Sequence, residues 1–155
     1  MNVAKILQSE AVKSVSTISS KKRLFHELGD LAAAAYGLSA ADVATALQER
    51  EGLGPTGVGH GVALPHARLS GLDSVCGLFI QIEKPLDFEA VDKKPVDLIF
   101  ALLAPEDAGV EHLKALAVVS RSMRDSDLCT KLRANSDAVT LHTLLAEQRP
   151  SNQAA

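Results

Sequence analysis

The sequence has few aromatic residues and no long apolar segment. Tryptophan is absent and only 3% of the residues are aromatic, so an aromatic platform on which nucleic-acid bases stack is not expected. The most apolar stretch, at 98–104, is far too short to cross a bilayer. The first residues do not combine a charged start with an apolar segment, so no secretory signal is predicted. We therefore expect a cytoplasmic protein without membrane insertion.

Cysteine and concentrated positive charge are also scarce. The two cysteines, Cys76 and Cys129, share no short motif, so buried free thiols are expected rather than a disulfide or a metal-binding pair. The formal net charge is -3, and the only run of three basic residues lies at 21–23. Binding to nucleic-acid phosphates needs a concentrated positive patch, so no nucleic-acid partner is expected.

The length and the order of the patterned segments indicate one domain. A chain of 155 residues corresponds to a single domain, which we predict to span 1–148, with a polar, frayed tail at 149–155. Apolar residues recur at helical spacing after Ser20 and again after Ser39. Gly37 is placed to end the first of these helices, because glycine readily adopts the left-handed conformation that follows many helices.

The middle of the chain has the pattern of a β-sheet. The segments that we interpret as strands lie at 12–18, 62–64, 75–82 and 96–103. The last is nearly continuously apolar, as expected of a central strand that is covered on both faces, whereas 52–61 is predicted to be a loop. A helix is predicted after Pro105–Gly109, with one face formed by Val110, Leu113, Leu116, Ala117 and Ser120. Strands with helices before and after them indicate an α/β fold, a mixed sheet with helices on both faces.

Reactive side chains are concentrated in the stretch GVGHGVALPHARL at 57–69. Pro65 has a fixed φ and no backbone donor, and it favours extended geometry at Leu64. The imidazole of His66 is therefore expected at the end of a rigid strand, where α/β sheets carry their active groups. His66 is the first candidate site residue.

His112 and Arg50 are the other two candidates. His112 falls in the first turn of a predicted helix, whose partial positive charge disfavours imidazolium and attracts an anion. Arg50 ends the helix before the glycine-rich loop; taken alone, it is better explained by a helix-end charge pair, and Arg68 is equally ambiguous. Two neutral histidines and an arginine together suit a phosphoryl group, because one nitrogen can attack while the other groups stabilise its oxygens.

Spacing alone leaves three interpretations open for His60, His66 and His112. They could be structural, they could form a phosphoryl site, or they could bind zinc as the metal centre of a hydrolase. The chain between His60 and His66 crosses a turn at Gly61 and then a strand, and no HExxH or CxxC motif accompanies it. The motif evidence therefore does not favour the metal.

Five segments, taken in their order along the chain, are similar to one protein family. They are ISSKKRLFHELGDLAAAAYGLSAADV, LQEREGLGPTGVG, TGVGHGVALPHARL, PLDFEAVDKKPVDLIFALLAPED and EHLKALAVVSRSMRD, within about 5–147. They resemble the fructose/mannitol-type enzyme IIA proteins of the phosphoenolpyruvate-dependent phosphotransferase system, in particular the nitrogen-regulatory branch. The resemblance implies an α/β sandwich, a five-stranded mixed sheet with helices on both faces.

The resemblance also implies a role for each candidate residue. His66 matches the histidine that accepts the phosphoryl group on Nε2, His112 matches the second active-site histidine, and Arg50 matches the arginine that holds the anion. The chain departs from the family pattern at two positions: His60 replaces the usual asparagine, and Ala67 replaces the glycine that often follows the active histidine.

The function implied is a phosphohistidine relay with a mainly regulatory output, which uses no permanently bound cofactor. The expected partners are a small HPr-like phosphocarrier and regulated proteins such as kinases or transporters. Two alternatives stay open: a sugar-specific IIA component of an uptake system, and the zinc-dependent hydrolase.

Overall fold

The computed structural model describes residues 2–147, so the tail predicted at 149–155 lies outside the described residues. The helices of the described part are α1 (Val3–Ile6), α2 (Lys21–Tyr36), α3 (Ala40–Glu51), α4 (Gly109–Met123), α5 (Ser126–Arg133) and α6 (Ala138–Ala146), with a short 3-10 helix at Ser9–Ala11. The strands are β1 (Val12–Val15), β2 (Gly57–Gly59), β3 (Val62–Ala63), β4 (His66–Leu69), β5 (Cys76–Leu86) and β6 (Val96–Pro105). None of the helices within 2–147 is long and apolar enough to span a membrane.

The strands form one mixed sheet in the order β1-β5-β6-β3-β2, and β4 also pairs with β6. The β5–β6 and β2–β3 pairs are antiparallel, and the other pairs are parallel. One group of helices, α2 and α3, contacts β5 and β4, while α4, α5 and α6 contact β6, β5 and β1. The predicted mixed α/β fold is thus confirmed, and β6 is its buried central strand.

The sheet has six strands rather than the five expected. Two of them lie where no strand was predicted, β2 within the glycine-rich loop and β4 directly after Pro65. Ala63 lies opposite Ile99 and His66 lies opposite Leu102, so β3 and β4 follow β6 in one continuous register. Pro65 separates them because it has no N–H to contribute to the ladder.

Helix α2 follows its sequence pattern closely. The Ser20 hydroxyl accepts the backbone N–H of Arg23 at 3.0 Å, and Gly37 ends the helix with a φ of 70°. The buried face consists of Leu24, Phe25, Leu28, Gly29, Leu31 and Ala32. The predicted helix and both of its ends are confirmed.

The buried face of α4 is not the face that its apolar residues predict. Its buried residues are His112, Ala115, Val119 and Met123, whereas Val110 is 65% exposed and Leu113 is 64% exposed. The predicted face was wrong because α4 carries two stripes at helical spacing. In the predicted stripe Val110, Leu113 and Ala117 are exposed, although Leu116 is half-buried against the core. The cysteines, in contrast, are buried and free as predicted.

Candidate active site

Two of the candidate residues lie side by side. His66 is the first residue of β4 and is half-buried, and His112 lies in the first turn of α4 and is 6% exposed. The centroids of the two imidazole rings are 5.6 Å apart and their planes are inclined by 47°. The fold therefore brings together two histidines that are far apart in the sequence.

The His66 ring is held in one tautomer by a backbone carbonyl. Its Nδ1 lies 2.9 Å from the carbonyl oxygen of Leu64. A carbonyl oxygen only accepts hydrogen bonds, so Nδ1 carries the proton and donates it. The lone pair of the neutral ring is then on Nε2, which has no hydrogen-bond partner in the part of the chain that the structure describes. Nε2 is therefore the ring nitrogen of His66 whose lone pair is available to a ligand.

His112 is kept neutral by its surroundings. Burial disfavours its charged form and, together with the positive potential of His66 and Arg68, lowers the pKa of the imidazole. Its Nδ1 is buried and has no hydrogen-bond partner among the described residues. Folded proteins seldom leave a buried nitrogen unpaired, and a catalytic role is one of the few explanations.

The N-terminus of α4 adds partial positive charge beside the histidines. Ala108 precedes the helix and provides no side-chain cap. Amide N–H groups at such an end attract anions, and the helix dipole adds to this attraction. Arg68 extends from β4 and donates to the backbone oxygen of Glu106 at 3.4 Å. The arrangement suits an anion that reaches Nε2 of His66.

Arg50 is placed differently from the two histidines. Its Nη1 donates to the carbonyl oxygen of Gly54 at 3.1 Å, and α3, which carries it, packs against β4. Within 2–147 no hydrogen bond or ion pair joins Arg50 to His66 or His112. Arg50 thus holds the glycine-rich loop at Gly54 and is not joined to either ring by a hydrogen bond or an ion pair among the described residues.

Glu51, the next residue, also holds this loop, and no motif singles it out. Its carboxylate accepts the backbone N–H of Thr56 at 3.0 Å, accepts the Thr56 hydroxyl, and pairs with the ammonium of Lys21 at 2.8 Å. The sequence carries no signal for this role, because only the fold brings Thr56 and Lys21 to the carboxylate of Glu51.

His60 has a backbone role. Its φ is 59°, in the left-handed region where asparagine, aspartate and histidine are the favoured residues other than glycine. Its N–H donates to Asp92 Oδ2 at 3.0 Å, and its carbonyl oxygen accepts Arg133 Nη2 at 2.7 Å. The turn explains why histidine can replace asparagine here.

The zinc hypothesis receives no support from this geometry. Among residues 2–147, no three histidine, cysteine, aspartate or glutamate side chains lie close enough to hold a metal ion. The exposed His60 is held in its turn by its own backbone contacts, while His66 and His112 form a pair without it.

Apolar side chains are exposed on the helix that carries His112, and a cavity lies near the strand that leads to His66. Val110 and Leu113 are exposed on α4 beside His112. A cavity of about 740 Å³ lies between β2, β3 and the later part of α4 and α5, and its lining includes Val58, Val62, Leu64 and Met123. Leu64 belongs both to this cavity and to the hydrogen bond that holds His66. The cavity therefore adjoins the site.

Comparison with known proteins agrees with the fold and the motif order. The family model described as the phosphoenolpyruvate-dependent sugar phosphotransferase system, EIIA 2, matches residues 5–148. The chain is 44% identical to the nitrogen regulatory protein of Bradyrhizobium diazoefficiens, over 94% of this chain and 95% of that protein. It is 38% identical to the nitrogen regulatory protein of Klebsiella oxytoca, over 99% and 96%. The crystal structure of the nitrogen regulatory protein IIA-Ntr from Neisseria meningitidis superposes with a TM-score of 0.85 at 40% identity, over 92% of this chain and 98% of that one.

Proposed function

This chain belongs to the EIIA type-2 family of the phosphoenolpyruvate-dependent sugar phosphotransferase system, and we propose that its His66 accepts a phosphoryl group on Nε2 from a small HPr-like carrier. The observation that carries the proposal is the hydrogen bond from His66 Nδ1 to the Leu64 carbonyl oxygen. It leaves the Nε2 lone pair free beside a second, neutral histidine. A phosphoryl relay of this kind operates in the cytoplasm, which is part of the proposal.

The transfer exchanges one phosphorus–nitrogen bond for another. The Nε2 lone pair of neutral His66 attacks the phosphorus of the carrier's phosphohistidine, and the bond between phosphorus and the carrier nitrogen breaks. The carrier ring, protonated on its other nitrogen, leaves as neutral imidazole. The His66 ring becomes positively charged while Nδ1 keeps its proton, and the Leu64 carbonyl stabilises that charge.

His112 and Arg50 have supporting roles in this proposal. Neutral His112 lies within ring-contact distance of His66 and donates a hydrogen bond to the phosphoryl oxygens. Arg50 provides positive charge at the edge of the site and keeps the loop at Gly54 in place. Neither residue is the acceptor.

The exposed apolar surface beside the histidines is the proposed docking site for the carrier. Val110 and Leu113 flank His112 on α4, and apolar surface of this kind marks sites of protein contact. The phosphoryl group must reach Nε2 from outside the protein, and a carrier that binds the helix carrying His112 brings it close to His66.

The proposed output is regulation through protein binding. A phosphoryl group adds roughly one to two negative charges to a surface that is otherwise apolar at Val110 and Leu113. A partner that buries this surface must desolvate the added charge, so it binds the unphosphorylated form more tightly. The regulatory names of the relatives at 38–44% identity support this choice over sugar uptake.

Acceptance is tested by incubating the protein with enzyme I, carrier and radiolabelled phosphoenolpyruvate. We expect the wild type to become labelled and His66→Ala to stay unlabelled. His26→Ala, which removes an exposed histidine of α2, is the matched control and should be labelled like the wild type. Stable label on His66→Ala would refute the assignment.

The output is tested by comparing His66→Ala and His66→Asp as baits in cell extract, together with a transfer assay to membrane fractions that contain sugars. Regulation predicts different partners for the two baits and no sugar-dependent loss of phosphate. Identical partners together with rapid sugar-dependent loss of phosphate to membranes would favour a sugar-specific IIA component.

A further inference from the structure

A continuous series of hydrogen bonds connects Glu51 to the ring of His66. The carboxylate of Glu51, whose side chain is 6% exposed, accepts both the backbone N–H and the hydroxyl of Thr56. The Thr56 carbonyl oxygen accepts the N–H of Leu64 at 2.9 Å. The Leu64 carbonyl oxygen then accepts the Nδ1 proton of His66, also at 2.9 Å.

The carboxylate of Glu51 is well suited to begin this series of hydrogen bonds. A carboxylate only accepts hydrogen bonds and has two oxygens, so Glu51 can take both donors of Thr56 at once. The Lys21 ammonium, 2.8 Å from Glu51, compensates the buried charge and lies 4.5 Å from the centre of the Phe88 ring. Hydrogen bonds to an ionised acceptor are about twice as strong as neutral ones, so Thr56 is held firmly.

The segment between Glu51 and Thr56 needs such a constraint. It contains Gly52 and Gly54, the second with a φ of 157°, and glycine loses more backbone freedom on ordering than any other residue. Thr56 itself is 4% exposed. Its carbonyl oxygen holds the N–H of Leu64, and the Leu64 carbonyl oxygen accepts the Nδ1 proton of His66, so Thr56 constrains the residue that positions the ring.

The geometry points to Glu51 as a positioning residue for His66 that acts through Thr56 and Leu64. It fixes the ring orientation and the tautomer, so that the Nε2 lone pair is presented to the phosphoryl donor. The kinetic consequence rests on the proposed function, whereas the effect on the tautomer does not.

The test measures nitrogen-15 chemical shifts of the His66 ring in the unphosphorylated protein, together with the rate of phosphoryl transfer. Glu51→Gln keeps the side-chain volume but has a single acceptor oxygen, so we expect a mixture of His66 tautomers and transfer slowed roughly tenfold, since a displacement of about 1 Å can cost up to 10²-fold. Thr56→Val is the second variant, and Thr56→Ser should restore the native tautomer and rate.

Glu27→Gln is the matched control. Glu27 is also largely buried and pairs with Lys13 and Arg23, both at 2.7 Å, but it lies on α2 and faces edge strand β1. It should show native His66 shifts and a native rate.

The inference is overturned if folded Glu51→Gln and folded Thr56→Val both keep the native tautomer and rate. It is also overturned if Glu27→Gln changes them as strongly as Glu51→Gln does. If the wild type accepts no phosphoryl group, the proposed function fails, yet the chemical shifts still decide the role of Glu51.

Discussion

Helices α2 and α4 pack on the same sheet and present opposite kinds of surface. The apolar side chains Leu24 and Leu28 of α2 are buried, and its histidine, His26, is exposed. In α4 the histidine, His112, is buried, and the large apolar side chains Val110 and Leu113 are exposed. Exposed apolar groups lose the free energy of burial, and the carrier contact proposed for α4 would restore it.

The two helices also begin differently. The Ser20 hydroxyl caps α2, whereas Ala108 gives α4 no side-chain cap. A side-chain cap contributes typically about 1 kcal/mol. Helix α2 thus uses its end for stability, while α4 keeps its amide groups available to an anion beside His66. The difference separates a helix that holds the fold together from one on which the proposed site is built.

The largest effect is expected from the core of α2. Leu28→Ala removes a fully buried side chain and should lower the free energy of unfolding by about 2–5 kcal/mol through lost burial and a residual cavity. Urea denaturation measures the loss. The folded fraction should still accept phosphoryl groups at the native rate. If transfer slowed without a loss of stability, α2 would belong to the site.

On α4, the buried histidine should matter for chemistry. His112→Ala removes a positioned donor and should slow phosphoryl transfer by about 10²–10³, while His66 still becomes labelled at long times. Quench-flow labelling and mass spectrometry of peptides provide the measurement. Label on His112 in the native protein would contradict its supporting role.

The burial of His112 should also make stability depend on pH. The pKa of His112 is lowered from 6.5 in the folded protein, so on acidification the unfolded chain takes up the proton first. The stability contributed is complete above pH 6.5 and is lost as the pH falls through the lower folded pKa, with a slope of at most about 1.4 kcal/mol per pH unit.

Urea denaturation between about pH 7.5 and 5.5 checks this dependence. Wild type should lose more stability than His112→Gln over that range. His26→Gln, on the exposed face of α2, controls for the removal of one histidine and should follow the wild type. Equal losses in wild type and His112→Gln would show that His112 does not titrate differently on folding.

The smallest effect on stability is expected from the exposed face of α4. Leu113→Ser should change the free energy of unfolding by no more than about 0.5 kcal/mol. It should weaken carrier binding about fivefold, which corresponds to about 1 kcal/mol, as measured by calorimetry. A large loss of stability with unchanged binding would show that Leu113 stabilises the fold and does not bind the carrier, contrary to the role proposed for the exposed face of α4.

The parts of the fold that could be predicted are those whose signals are local. The Ser20 cap, the apolar spacing of α2 and the glycine at 37 all lie within one segment, and the structure agrees with them. The orientation of α4 could not be predicted, because His112 and Ala115 face the sheet only when the whole site is assembled. The strand β4 was not predicted because proline normally interrupts strand pairing. In the structure the pairing with β6 resumes at His66, directly after Pro65.

The candidate site likewise contains one residue with a local sequence signal and one whose role depends on the fold. An apolar run followed by proline and histidine is a local signal, and it singled out His66. The expected position at the end of a strand was wrong, because pairing with β6 resumes after Pro65 and His66 begins β4. The link between Glu51 and His66 passes through backbone atoms of Thr56 and Leu64, which every residue has. No residue pattern encodes such a link, so only the folded chain reveals it.

In the proposed relay, His66 presents Nε2 to the carrier because the Leu64 carbonyl holds the proton on Nδ1. It is tested most directly by phosphorus and nitrogen-15 NMR of the phosphorylated wild-type protein, which identifies the ring nitrogen bonded to phosphorus. The prediction is phosphorus on Nε2 of His66 with the proton retained on Nδ1. Phosphorus on Nδ1 of His66, or on His112, would contradict it.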